Sequence, residues 1–255
     1  MDKFKTFFKY FIFVFVIFSL ALPAATLISG LFSETVNAQQ KKEKRKPPKA
    51  KRTQTMSKKV GAEFIKAQEA LGDDLPDRAM DILNNLLRRD DLRPFEQAQI
   101  IRLQAYVFAE KEDYNKSLDY LQRVYNLNAL QPQAQLDLQF QIAQLYLATD
   151  NWNKGHDMLV KWFADAEMMG FPPGPSAHAL LAQIYIYFAS ETERDSPEER
   201  QYYRKAEPHA EKAVLSAAEP RENWYQIYLS ILLFDDRYEE LSLIHISEPT
   251  RPSQI

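Results

Sequence analysis

Four imidazoles are the first groups to test for chemistry: His156, His178, His209 and His245. Histidine holds a metal or moves a proton when a second ligand or a carboxylate stands at a set offset, as in H-E-x-x-H on a helix. None of the four has such a neighbour in the sequence, so they read as surface or packing residues. The carboxylate pairs Asp73-Asp74 and Asp235-Asp236 would suit general acid–base work if buried together. They stand between helix-like stretches, where acids cap the following helix. The chain has no Cys, which removes disulfides, thiolate zinc sites and cysteine nucleophiles. It also lacks G-x-S-x-G, a P-loop and G-x-G-x-x-G. The expectation is a non-enzymatic chain without metal or cofactor.

The elements that must position any binding residues are helix pairs. In LDLQFQIAQLYLATDNWNKGHDMLVKWFADAE, residues 136–167, Ala143 and Tyr146 lie one turn apart on a first helix. Gly155, Leu159 and Trp162 fall at i, i+4 and i+7 on a second. Small residues allow the two backbones to approach, and the large ones fill the space beside them. The first-helix marker recurs as Ala67, Ala105, Ala143 and Ala182, and the second-helix marker as Ala79, Ser117, Gly155 and Ala210. From Ala79 to Ser117 to Gly155 the step is 38 residues each time. Tyr114, Trp152 and Tyr238 follow acidic or Asn turn residues, EDY, DNW and DDRY. There is no sustained β-branched alternation between Val60 and Glu240, so the expected class is all-α.

This pattern resembles the tetratricopeptide repeat (TPR) superfamily, whose period is about 34 residues. The likeness covers roughly Lys59 to Glu240, is weakest in repeat one, and implies an α-solenoid of antiparallel helix pairs in a right-handed superhelix. It also implies a concave groove lined by the first helix of each pair. On this sequence the groove positions are Phe64, Gln68, Gln99, Arg102, Tyr106, Phe140, Gln144, Gln183 and Ile186. The set is rich in amides and aromatics with one cation, unlike the Lys/Arg/Asn set of relatives that clamp a C-terminal carboxylate. Such a lining suits an extended peptide, with amides on its backbone and rings against its side chains.

The flanks differ from this body. Lys3, Lys5 and Lys9 precede the apolar run Tyr10 to Leu22, and Val36-Asn37-Ala38 offers a cleavage site before Gln39. Residues 1–38 therefore read as an export signal, with a retained anchor as the alternative. Residues 39–58 read as a disordered linker; 41–59 carry a net +9 and Pro47-Pro48, either a solvated spacer or a tether to anionic lipid. Beyond residue 59 the net charge is −13, which does not match the basic face of a nucleic-acid binder.

Further along, Gly170 to Pro175 is a Pro/Gly-dense loop. Residues 190–204 form a charged insert with Tyr202-Tyr203, read as a binding feature or a helix extension. A fifth pair opens at Glu222, and the expected repeat domain is 59–240. Residues 241–251, LSLIHISEPTR, look like a translated sequencing adapter, so 241–255 is expected to be non-native. Export signal, Lys/Pro spacer and repeats together are similar to periplasmic TPR proteins that accompany TonB energy-transduction systems. The resemblance implies a periplasmic scaffold, with inner-membrane association through the N-terminus and linker. The alternative is a cell-envelope enzyme, or an enzyme activator, whose catalytic domain lies beyond the C-terminus.

Overall fold

The computed structural model describes residues 54–237. The export signal, most of the linker and the 241–255 tail lie outside them. The described residues hold nine α-helices and no strand. They fall into two compact units divided between Asp150 and Asn151. The division passes through the helix pair of repeat three, so its first helix closes one unit and its second opens the other.

The first unit contains α1 (Lys58–Gly72), α2 (Pro76–Leu87), α3 (Pro94–Glu110), α4 (Tyr114–Leu127) and α5 (Pro132–Ala148). The second contains α6 (Trp152–Met168), α7 (Pro175–Ser190), α8 (Pro197–Leu215) and α9 (Glu222–Phe234). Pro76, Pro94, Pro132, Pro175 and Pro197 open their helices. Proline suits that position because the first N–H groups of a helix have no internal acceptor to lose. Within each unit, helices pack on their sequence neighbours, and α1 also meets α3 as α7 meets α9.

The turns inside the pairs share a device. Asp74, Glu112, Asp150 and Asp236 have left-handed backbones, with φ of 58°, 59°, 59° and 56°. The next N–H reaches back five residues at three of them: Leu75 to the Ala70 carbonyl at 2.8 Å, and Asp113 to Phe108 and Arg237 to Leu232, both at 2.9 Å. These are helix-closing motifs that normally favour glycine. Asp74 thus ends α1, and the N-cap residue of α2 is Leu75, whose side chain makes no cap bond. Asp73-Asp74 does not cap the next helix, as its place in the sequence suggests: Asp74 closes the helix before it. Asp113 does cap forward, accepting from the Lys116 N–H at 3.2 Å.

The small markers are buried as their spacing requires. Ala67, Ala105, Ala143, Ala182, Ala79 and Ser117 are each 0% exposed, and Ala210 1%. In the first unit Val60, Phe64, Ala67, Leu83, Leu103 and Val107 form one core. In the second, Ala179 and Ala182 of α7 share a core with Ala206, Ala210 and Ala213 of α8 and with Trp224, Tyr228 and Ile231 of α9. Most of the 190–204 insert is helix, because α8 begins at Pro197. The end of the expected linker is folded too: Met56 packs on the first core, and Glu96 takes the Ser57 N–H at 2.6 Å.

Candidate functional site

A concave feature forms in the first unit where the ends of α1 and α3 meet the turn into α2. It is a cleft of about 300 Å³ lined by Gln68, Leu71, Asp74, Pro76, Leu103, Tyr106 and Glu110, with Gly72 completing it. Gln68 and Tyr106 are 38 residues apart, the same place in successive repeats. A helix axis that repeats every 38 residues therefore brings both side chains to one opening. Burial, then a hydrogen bond to the Glu110 carboxylate, pushes the Tyr106 hydroxyl up to about 12. Tyr106 thus stays a protonated donor at any physiological pH. The walls offer apolar surface from Leu71, Leu103 and Pro76, an amide, a phenol and two carboxylates. That mixture can pack a side chain and hydrogen-bond a backbone.

The other expected groove residues separate into distinct settings. Arg102 is half-buried and donates to the Gln141 Oε1 at 3.3 Å, linking α3 to α5. Burial lowers its pKa, against the opposing pull of Asp137. Gln99 and Phe140 are half-buried on the same two helices. Phe64 is 8% and Gln144 3% exposed, so these two are covered by neighbouring side chains, Phe64 within the first core. Gln183 and Ile186 belong to the second unit, where Ile186 packs against the core. The sequence reading missed Leu71, Asp74, Leu103 and Glu110, which line the cleft, and Gln141, which receives Arg102. The 38-residue register carries a signal for some of them, since Leu103 and Gln141 occupy one column a residue beyond Arg102 and Phe140.

No known sequence family matches the chain, and no curated protein matches it. Solved structures do. MamA from Desulfovibrio magneticus RS-1, from residue 41 to its end, superposes with a TM-score of 0.53 at 16% identity, over 75% of this chain and 94% of that one. RapI in its apo form superposes with a TM-score of 0.53 at 11% identity, over 73% and 67%. The fold is a TPR-type helical repeat. In the first unit α1, α3 and α5 are the first helices of their pairs. α3 buries nine of its 17 residues, against three of 12 for α2. A helix touched on several sides loses the single apolar stripe of a surface helix.

Proposed function

We propose that this chain is a non-enzymatic scaffold that holds an extended segment of a protein partner along α1, α3 and α5. The observation that carries the reading is the cleft that Gln68 and Tyr106 share, a repeated position with an amide and a phenol beside apolar walls. The signal-like N-terminus and the Lys/Pro segment support placement in the periplasm, with the N-terminus near the inner membrane. The overall layout supports service to TonB-dependent uptake, where an accessory that gathers components would need binding surface and no chemistry.

The test is capture by the full-length chain from cell-envelope extract, comparing the native protein with the Tyr106→Ala/Phe140→Ala variant. Helicity is checked by circular dichroism. Loss of the captured partner with helicity intact supports the site. Equal capture by both proteins rejects it.

A further inference from the structure

The fold brings together two histidines that lie 31 residues apart in the chain. His178 on α7 and His209 on α8 face each other with Nδ1 atoms 2.8 Å apart. Their rings stack at a centroid separation of 5.1 Å, and Phe163 of α6 meets both edge-on, at 5.1 and 5.5 Å. A contact of that length between two Nδ1 atoms is a hydrogen bond in which one ring donates and the other accepts. It exists while at least one ring is neutral. If both are protonated, two N–H donors point at each other across a hydrogen-bond distance, inside the helix pair that forms the core of the second unit.

We propose that the His178–His209 pair is a proton-sensitive latch between α7 and α8, closed at neutral pH and released in acid. The surroundings bias it toward the closed form. His178 is 8% exposed. Burial lowers both rings, and the Lys212 ammonium on α8 presses both further down. Glu167 at the end of α6 opposes this at His178. His209, which also feels His178, is lowered to about 4. Tyr185 of α7 lies beside His209, and its hydroxyl is 3.4 Å from Nε2 of His156 on α6. Lys205 of α8 sits over the Tyr185 ring.

The latch lies at a weak point of the backbone. Pro208, immediately before His209, is inside α8 and cannot donate to the Arg204 carbonyl four residues back. The α8 ladder is therefore one bond short where the imidazole must hold position.

The direction of the pH effect follows from linkage. The unfolded chain takes up these protons near 6.5, whereas the folded unit resists them. Stability from the pair is complete above about 6.5 and is lost as pH falls toward about 4. Each excluded proton raises the unfolding constant by up to about tenfold per pH unit in that window.

The experiment follows the imidazole carbon-bound protons of the full-length chain by NMR from about pH 8 down to about 3, past the value of about 4 for His209. Urea unfolding is run in parallel on the native chain and on the His178→Gln/His209→Gln variant. The expected result is that the two coupled rings titrate below 6.5, and that the variant loses part of the acid sensitivity. Two rings titrating together at or above 6.5 would overturn the proposal, as would identical pH dependence in native and variant chains. The NMR arm decides even if the variant folds poorly.

Discussion

Ser117 shows how a single atom can be out of step with its place. It occupies the small-residue column between Ala79 and Gly155, and its side chain is 0% exposed. Its hydroxyl has no hydrogen-bond partner among the described residues. A buried unpaired hydroxyl costs on the order of 1–3 kcal/mol, and removing it leaves no gap larger than one atom. Ser117→Ala should therefore raise stability by about 1 kcal/mol, read as a higher urea midpoint with an unchanged slope. The size requirement at this column was legible from the sequence. The missing partner was not, because it depends on where neighbouring carbonyls point. The histidines show the same boundary: no offset along one helix predicts His178 against His209, since each comes from a different helix and their approach depends on packing.

At the scale of elements, spacing carried most of the information. The 38-residue register located the pairs α1–α2 and α3–α4, and Pro76 and Pro94 start helices within them. The 190–204 insert was ambiguous because charged residues suit an exposed helix and a loop equally; Pro197, as a first-turn residue, is what starts α8. The turn acids were misread because an Asp after a helix can close it or cap the next one, and only the sign of φ separates the two. The seam between α7 and α8 is where sequence and packing agree most closely. Ala179, Ala182, Ala206, Ala210 and Ala213 keep the axes near each other. Ala210→Leu would force them apart and should cost about 1–3 kcal/mol, with Ala210→Gly as a control that keeps the approach. Thermal unfolding of both variants measures this.

For the molecule as a whole, one buried carboxylate ties the segment that leads in from the N-terminal side to the repeats. Glu96 is 1% exposed. It accepts from the Arg93 N–H at 2.9 Å, the Arg93 guanidinium at 2.8 Å and the Ser57 N–H at 2.6 Å, while Arg93 also reaches the Thr55 carbonyl at 2.5 Å. These donors, the Arg93 guanidinium foremost, hold its carboxyl far below the usual carboxylate range. The stabilisation is present above about 4.5, the ordinary value, and is lost as pH falls below it. Glu96→Gln should lower stability at pH 7 by about 1–3 kcal/mol and flatten the pH dependence between 4.5 and 3. Urea titrations at several pH values would show both effects. Faster tryptic cutting near Lys58 in the variant would show that the 54–57 segment has come loose.

The neighbour-only packing inside each unit bears on how such a chain comes to be folded. Every helix there rests on the next one or the next but one. Loop closure over such short spans is cheap, and chains dominated by local contacts organise quickly. If the polypeptide enters its compartment from the N-terminus onward, each hairpin can settle on the previous one as soon as it arrives, so little apolar surface has to wait for a distant stretch still in transit.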